Sequence, residues 1–296
     1  MELVRPSDTA LRAAAGLSVH QRELLDEWLP AAIITHDRSS GLKASVVFEV
    51  ATDEGGFVVK AGKDADRSVR REIRAHQQWT APWTANGLAP RLEYADVGAK
   101  LLVTRYLDGD PILDTPHEDD PVIHQQAGAM LRELHAQYAS VDSDWEAKEN
   151  AMVAERLDHP HRIAPDVVAR LRELLETLET SPVTVVPTHG DWQPRNWILR
   201  EGRVAGIDFG RAMLRPAWTD FWFLHTKYFS RDRRLEEAFL DGYGSDPRQE
   251  AGWFGARVRE AIGPAAWGFQ IQHEEYEQLG HDLIAEVLGE SRGRFS

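Results

Sequence analysis

The sequence predicts an α+β protein whose first third is rich in strands and whose remainder is mostly helical. Two β-rich runs around a turn occupy residues 45–62, and one helical segment and two more strands follow up to about residue 107. From Asp119 onward the apolar residues recur mainly at helical spacing. Strands and helices that separate along the chain in this way are typical of the α+β class.

The N-terminal elements each carry a local signal. Ser18, with Gln21 three residues later, forms a capping-box pattern at the start of a helix. The turn sequence Asp53-Glu54-Gly55-Gly56 separates two β-rich runs and predicts an antiparallel hairpin with Lys60 on its second strand. Asp66 is a candidate cap for the helix that follows. Residues 90–96 and 99–111 complete the series as two further strands.

The C-terminal elements are predicted mainly from helical periodicity. Residues 121–139 place five apolar side chains on one stripe: Ile123, Ala127, Met130, Leu131 and Leu134. A second helix is predicted after Pro165, and a β-branched run follows at 181–188. Residues 196–209 then read as a strand, a turn and a strand, and the tail from Leu235 to about Leu288 reads as helices.

Charge and composition narrow the classes of partner. The chain has 34 Lys and Arg against 48 Asp and Glu, a net charge of −14, which disfavours nucleic acid and favours cationic ligands. It contains no cysteine, which suits a reducing compartment. No run approaches the roughly 20 apolar residues of a membrane span, and the N-terminus does not resemble a secretory signal. We therefore expect a cytoplasmic protein that binds neither nucleic acid nor membrane.

Two short motifs carry the chemistry. In "HGDWQPRN" Asp191 stands five residues before Asn196, and "IDFG" supplies Asp208-Phe209-Gly210. Protein kinases use this Asp-to-Asn spacing in their catalytic loop and an Asp-Phe-Gly as the magnesium carboxylate. Phosphoryl transfer needs a carboxylate for the acceptor hydroxyl, oxygen ligands for magnesium and a cation on the nucleotide. The paired motifs therefore favour phosphoryl transfer.

These motifs, with "MLRELH" upstream and Lys60 on a strand, resemble the aminoglycoside phosphotransferase family of small-molecule kinases. The resemblance extends over roughly residues 35–285. It implies a protein-kinase-like bilobal fold with a β-rich N-lobe and a mostly helical C-lobe. Residues 1–107 would then be the nucleotide-binding lobe, with a hinge near 104–107. Residues 108–296 would hold the catalytic loop and the acceptor pocket.

The same resemblance assigns roles to the motif residues. Asp191 would be the catalytic base or hydroxyl-orienting carboxylate. Asn196 and Asp208 would be the magnesium ligands. Lys60 would contact the α- and β-phosphates of the nucleotide and would be held by Glu72.

The nucleotide is expected to be ATP or GTP, bound by two further segments. The backbone of Arg105, Tyr106 and Leu107 would form the hinge that receives the base. The phosphate-covering loop would be "HDRSSGLKAS", residues 36–45, with Ser40 as a candidate phosphate contact. This loop has one glycine instead of a glycine-rich series, which leaves the choice between ATP and GTP open.

The remaining candidate residues support the loop or bind the acceptor. His189 would make a buried structural hydrogen bond, and Asp220 would brace the catalytic loop. Trp267, Glu274 and Glu275 would line the acceptor pocket, where the glutamates would suit a cationic acceptor.

The resemblance implies a magnesium-dependent O-phosphotransferase that modifies a small molecule. An antibiotic is the favoured acceptor, which would make the protein a resistance or self-protection enzyme. Two alternatives stay open. One is a kinase of a small metabolite of the choline, homoserine or sugar amine type, and the other is a pseudokinase that binds nucleotide without turnover.

Overall fold

The computed structural model describes residues 9–39, 45–63, 66–248 and 250–294. In chain order the strands are β1 (Thr9–Ala10), β2 (Ile33–Asp37), β3 (Ser45–Thr52), β4 (Gly55–Gly62), β5 (Leu92–Asp96), β6 (Leu101–Arg105), β7 (Asp110–Pro111), β8 (Ser140–Asp142), β9 (Val183–Thr188), β10 (Trp197–Arg200), β11 (Arg203–Gly206) and β12 (Met213–Arg215). The α-helices are α1 (Val19–Trp28), α2 (Ser68–Gln78), α3 (Ala81–Ala85), α4 (Pro121–His135), α5 (Trp145–Arg156), α6 (Pro165–Thr177), α7 (Trp222–Leu224), α8 (Arg233–Tyr243), α9 (Glu250–Gln270) and α10 (Glu274–Arg294). Short 3-10 turns lie at Leu11–Ala13, Pro116–Asp119, Pro194–Asn196, Phe209–Arg211 and Ala217–Phe221, and a π turn lies at His225–Phe229.

The chain forms two compact units that alternate along the sequence. The first unit consists of Met1–Gln137, His189–Met213 and Lys227–Gly244, and the second of Tyr138–Thr188, Leu214–Thr226 and Ser245–Ser296. A β-sheet N-terminal region and a helical C-terminal part confirm the predicted α+β class. The predicted division into residues 1–107 and 108–296 stays a prediction.

A six-stranded antiparallel sheet organises the first unit. Its strand order is β1-β2-β3-β4-β6-β5. The predicted hairpin is β3 and β4, in which Thr52 pairs with Gly55 beside the turn. The inward side chains are apolar at alternate positions and form the core of this sheet: Phe48, Val50, Phe57, Val59, Leu101 and Val103. On β4, Lys60 lies opposite Leu102 of β6.

Side-chain acceptors lie at the N-terminal ends of α1 and α2, the helices beside this sheet. Ser18 and Gln21 form the full capping box of α1, and the Gln21 amide also donates to the carbonyl groups of Gly62 and Ala99. The N-cap of α2 is Arg67, whose side chain makes no capping bond; the carboxylate of Asp66, one residue earlier, accepts from the Ser68 N–H at 2.5 Å. Side-chain acceptors at these positions satisfy N–H groups that a helix leaves unpaired.

The helical part of the first unit holds the loop that carries the Asp191 motif. The predicted apolar stripe of α4 is buried. The Trp192 indole, itself fully buried, donates to the Ala127 carbonyl at 3.2 Å and ties the loop to α4. The strands β10 and β11 form the predicted hairpin, with Trp197 opposite Gly206. The loop is therefore held by a buried tryptophan within it, Trp192, and by a second at its C-terminal end, Trp197.

The second unit is built around the antiparallel pair α9 and α10. A Cβ at Gly280 would lie 2.1 Å from the Ala265 backbone nitrogen, so the two helices touch backbone to backbone there. The buried Arg259 guanidinium donates to the Glu146 carboxylate at 2.6 Å and to the Asn150 amide oxygen at 2.8 Å. Across the described ranges, no helix combines the length and apolar character that crossing a bilayer demands.

Candidate active site

Lys60, Glu72 and Asp208 form a charged cluster in the first unit. The Lys60 ammonium lies 2.5 Å from Glu72 Oε2 and 2.8 Å from Asp208 Oδ1. Lys60 and Glu72 have side chains that are 9% exposed, whereas the Asp208 side chain is 33% exposed. The strand β4, the helix α2 and the turn after β11 thus bring together three residues predicted from the sequence. Asp208 is the member of the cluster that reaches solvent.

Burial and charge act in opposite directions on Lys60. Burial is the largest single influence and disfavours the charged ammonium, but the charges and hydrogen bonds of Glu72 and Asp208 together outweigh it. The pKa of Lys60 is therefore raised above its ordinary value. The Lys60 side chain is therefore a permanent cation at physiological pH.

Gly210 leaves room for this cluster. A Cβ at Gly210 would lie 3.3 Å from both Lys60 Nζ and Asp208 Oδ1, and 3.2 Å from the Ser68 Cβ. Asp208 itself adopts φ 61°, in the left-handed region, which asparagine and aspartate tolerate better than most residues. The position before Phe209 therefore requires a residue that tolerates a positive φ, and the position after it has little room for a Cβ.

Phe209 is fully buried among rings from three segments of the first unit. Its ring centroid lies 5.1 Å from that of His76, 5.8 Å from that of Trp83 and 5.0 Å from that of His189. His76 follows Glu72 by one turn of α2. Burial, and then the positive charge of Lys60, lower the pKa of His76 to about 4. The imidazole is therefore neutral in the native protein at pH 7.

We expect His76 to reduce the stability of the protein in mild acid. An unfolded histidine has a pKa of about 6.5, so between pH 6.5 and about 4 the unfolded chain binds the extra proton and the native protein does not. Stability therefore falls as the pH drops through this window. The His76 share is about 2 kcal/mol between pH 7.5 and 5.

Urea unfolding at pH 7.5 and 5.0 measures this effect. His76→Phe keeps a ring against Phe209 and should lose about 2 kcal/mol less unfolding free energy than the wild type between these two pH values. His159→Phe, at an exposed position, serves as the control and keeps the native pH dependence. An equal pH dependence in the wild type and His76→Phe would contradict the assignment.

The catalytic-loop motif begins with a tightly held turn. Gly190 adopts φ 77°, which favours glycine. His189 is fully buried, and its Nε2 lies 3.0 Å from the Ile207 carbonyl oxygen; its structural role stays a prediction. The Asn196 amide donates to the Asp191 carbonyl at 2.7 Å. These contacts set the positions of Asp191 and Asn196 relative to the strand that leads to Asp208.

Two residues that were not predicted from the sequence contact the Asp191 carboxylate, and a third contacts one of these two. Gln193 donates to Oδ1 at 2.5 Å, and Arg195 donates to Oδ2 in a short ion pair. The Lys227 ammonium donates to Gln193 Oε1 at 3.2 Å. Burial, and then the charge of Arg195, lower the pKa of Lys227. Arg195 could have been identified from the sequence, because it stands four residues after Asp191, whereas nothing in the sequence indicates Lys227.

The oxygen atoms of Asn196 and Asp208 fit a hard cation such as Mg²⁺. The Ile207 N–H donates to the Asn196 carbonyl at 3.0 Å, so Asp208 directly follows a residue bonded to Asn196. The Asn196 amide nitrogen donates to the Asp191 carbonyl, and no described residue donates to Asn196 Oδ1. Magnesium typically takes one or two carboxylates, with phosphate and water completing the shell. One carboxylate and one amide oxygen satisfy that requirement.

Two of the three backbone N–H groups in the predicted hinge have partners within the protein. The Arg105 N–H donates to the Arg91 carbonyl and the Tyr106 N–H to the Gly56 carbonyl. Within the described ranges the Leu107 N–H makes no hydrogen bond, and the hinge role of Arg105, Tyr106 and Leu107 stays a prediction. The Ser40 prediction falls outside the described residues.

The other predicted residues lie in the second unit. Asp220 is buried in the 3-10 turn Ala217–Phe221. Trp267 is 53% exposed on α9, unlike Trp218 and Trp222, which are buried. Glu274 and Glu275 are exposed in the first turn of α10. Their roles as brace and acceptor ligands stay predictions.

Comparisons with known proteins match the chain to phosphotransferases. A model described as "phosphotransferase enzyme family" matches residues 37–253. A search of curated protein sequences found no match. Among solved structures, a thermostable mutant of aminoglycoside phosphotransferase APH(4)-Ia in ternary complex with AMP-PNP and hygromycin B is similar at a TM-score of 0.65 and 14% identity. The alignment covers 91% of this chain and 98% of that one.

Two more structures share the fold. The gentamicin–APH(2")-IIa complex has a TM-score of 0.61 and 18% identity, over 91% of this chain and 96% of that chain. Macrolide 2'-phosphotransferase MphH from Brachybacterium faecium has a TM-score of 0.53 and 14% identity, over 88% and 95%. The family match covers well over half of the chain and includes both motifs, and with the kinase-like fold it places this protein in the phosphotransferase enzyme family.

Proposed function

We propose that the protein transfers the γ-phosphoryl group of a nucleoside triphosphate, with Mg²⁺, to a hydroxyl group of a small molecule. The observation that carries this proposal is the cluster of Lys60, Glu72 and Asp208, held in one compact unit with Asp191 and Asn196. A cation, a base and two oxygen ligands are the parts that phosphoryl transfer requires. A module that only binds nucleotide would not need all of them.

Asp191 would act on the acceptor hydroxyl. Its carboxylate is 5% exposed and is fixed by Gln193 and Arg195, so its orientation is set before the acceptor arrives. The acceptor O–H would give its proton to Asp191 as its oxygen forms a bond to the γ-phosphorus. The bond from that phosphorus to the β–γ bridging oxygen would break and release the nucleoside diphosphate.

Lys60, Asn196 and Asp208 would bind the phosphates and the metal. Glu72 and Asp208 keep Lys60 charged and fix its ammonium in place. Asn196 and Asp208 would hold Mg²⁺ by their oxygen atoms. When bound, the ion neutralises charge on the phosphates and orients them. Leu107 would offer its N–H to the nucleotide base, and either adenine or guanine could accept it.

An antibiotic is the acceptor class that the comparisons support. The similar structures are named as phosphotransferases of aminoglycosides and macrolides, and two of them contain hygromycin B or gentamicin. We also propose that the acceptor is cationic, as the net charge of −14 and the exposed Glu274 and Glu275 favour. Glu277 cannot contribute freely, because Arg162 donates to both of its carboxylate oxygens.

Glu274→Gln combined with Glu275→Gln tests the cationic acceptor. We expect the KM for a cationic acceptor to rise about tenfold, because two charge-assisted hydrogen bonds to ammonium groups become neutral. The KM for nucleotide should stay unchanged. Glu173→Gln combined with Glu176→Gln, at exposed positions of α6, alters the net charge equally and serves as the control. An equal rise in the KM for the cationic acceptor in both double variants would show that the net charge of the protein causes the effect.

Nucleotide consumption across an acceptor panel tests the proposed function. The assay supplies Mg²⁺ with ATP or GTP and adds hygromycin B, gentamicin, spectinomycin, a macrolide, a cationic peptide, choline or homoserine in turn. We expect consumption that depends on one acceptor class and is abolished by EDTA. Saturable nucleotide binding without consumption for any acceptor would support the pseudokinase alternative. Consumption with choline or homoserine alone would favour a metabolite kinase.

A further inference from the structure

Access to the Asp191 carboxylate is restricted on one side by burial and on the other by Arg195. The Gln193 side chain, 1% exposed as a residue, covers Oδ1 from within the unit. The Arg195 side chain, 45% exposed, covers Oδ2, and the Asp191 side chain itself is only 5% exposed. The Arg195 guanidinium therefore occupies a hydrogen-bonding position on Asp191 Oδ2 that a hydroxyl group could otherwise take.

The ion pair between Arg195 and Asp191 is local and partly solvated. The two residues are four apart in the chain, across the 3-10 turn Pro194–Asn196. Water competes for the charge of the 45% exposed Arg195 side chain, so the pair is worth less than one in which both partners are buried. Its arginine can turn to solvent when a bound acceptor presents a hydroxyl that replaces the hydrogen bond to the carboxylate. Gln193 would keep Asp191 oriented meanwhile, because its own amide oxygen is held by Lys227.

We propose that Arg195 is a specificity-determining residue that covers Asp191 and thereby prevents the activation of water in place of the acceptor hydroxyl. The inference rests on the proposed function, because it takes Asp191 as the group that receives the proton. A water molecule has no further contacts to bind it and gains too little to displace the guanidinium. An acceptor that is held elsewhere on the protein brings that binding energy with it.

The reaction that Arg195 suppresses is hydrolysis of the nucleotide. A water oxygen would form the bond to the γ-phosphorus while its proton passes to Asp191. The bond to the β–γ bridging oxygen would break, and the products are the nucleoside diphosphate and inorganic phosphate. Hydrolysis of this kind wastes nucleotide whenever the acceptor is absent, and water at high concentration always competes with the acceptor.

Hydrolysis without an acceptor provides the test, with water as the probe. We expect Arg195→Ala to raise the rate of phosphate release from ATP with Mg²⁺ by about tenfold, the equivalent of one lost charge-assisted hydrogen bond. Arg195→Lys keeps a cation at this position and should restore part of the suppression. Arg203→Ala removes an exposed arginine from β11 and should leave hydrolysis at the wild-type rate. Arg195→Met, which keeps the apolar stem, replaces the alanine variant if that variant does not fold.

A gain of hydrolysis separates this role from a structural one, since a destabilised enzyme loses rates. The double variant Arg195→Ala with Asp191→Asn should return hydrolysis to the background rate. An unchanged or lower rate in Arg195→Ala, with transfer to the acceptor still dependent on Asp191, would overturn the role of Arg195 and leave the proposed function intact. Transfer that persists in Asp191→Asn alone would instead remove Asp191 from the proposed mechanism, whereas a wild type that transfers phosphate to no acceptor would overturn the proposed function.

Discussion

Asp191→Asn is expected to lower phosphoryl transfer by a factor of about 10² to 10⁴, the range that general-base catalysis contributes. The amide has nearly the shape of the carboxylate but cannot take the proton of the acceptor hydroxyl. Nucleotide binding should change little, because Lys60, Asn196 and Asp208 are all retained. The measurement is kcat for the acceptor identified in the panel, together with the Kd for nucleotide from calorimetric titration.

A matched variant guards against an indirect effect. Asp53→Asn makes the same chemical change at an exposed position of the β3–β4 turn and should leave both quantities at their wild-type values. A kcat for Asp191→Asn within threefold of the wild type would remove Asp191 from the mechanism. A loss of nucleotide affinity equal to the loss of kcat would indicate that the variant disturbs the binding site as a whole.

Gly280→Ala is expected to destabilise the second unit by about 3 kcal/mol, at the upper end of overpacking costs. The added Cβ would lie 2.1 Å from the Ala265 backbone nitrogen and 2.6 Å from its Cα. Both contacts are to backbone, so no side-chain rotation can relieve them. The helices α9 and α10 would have to move apart, and their shared core would loosen.

Gly289→Ala provides the matched control on the same helix. A Cβ at Gly289 meets nothing within 4 Å. Alanine there should stabilise the helix by up to about 1 kcal/mol through its higher helix propensity. Urea unfolding followed by circular dichroism measures both variants. Equal stabilities for the two variants would show that α9 and α10 are not in backbone contact at Gly280.

Local signals in the sequence predicted most of the first unit. The capping box of Ser18 and Gln21, the β3–β4 hairpin and the stripe of α4 are confirmed. Each depends on residues close together in the chain, so spacing alone was informative.

The helix α5 was missed for the opposite reason. Its buried residues include the polar side chains of Glu146 and Asn150, so its sequence lacks a strong apolar stripe. Both are satisfied by Arg259, more than 100 residues later in the chain. The short helix α3 was missed as well, because its five residues offer too little periodicity to detect.

The candidate site shows the same limit. The sequence shows the spacing of Asp191 and Asn196 and the Asp-Phe-Gly motif directly. The cluster of Lys60, Glu72 and Asp208 brings together residues from different parts of the chain. The hydrogen bond between Gln193 and Lys227 was not predictable, since it spans 34 residues without a motif. Neither its residue type nor its spacing indicates that Lys227 is a neighbour of the loop that carries the Asp191 motif.

The most direct test of the account is the fate of the γ-phosphoryl group. Phosphorus NMR of a reaction that contains the protein, Mg²⁺, the nucleotide and the acceptor from the panel distinguishes a phosphate monoester on carbon-bound oxygen from inorganic phosphate. We predict that the monoester signal of the modified acceptor grows as the γ-phosphate signal declines, and that Asp191→Asn stops both changes. Inorganic phosphate as the sole product, with the acceptor recovered unmodified, would contradict the account.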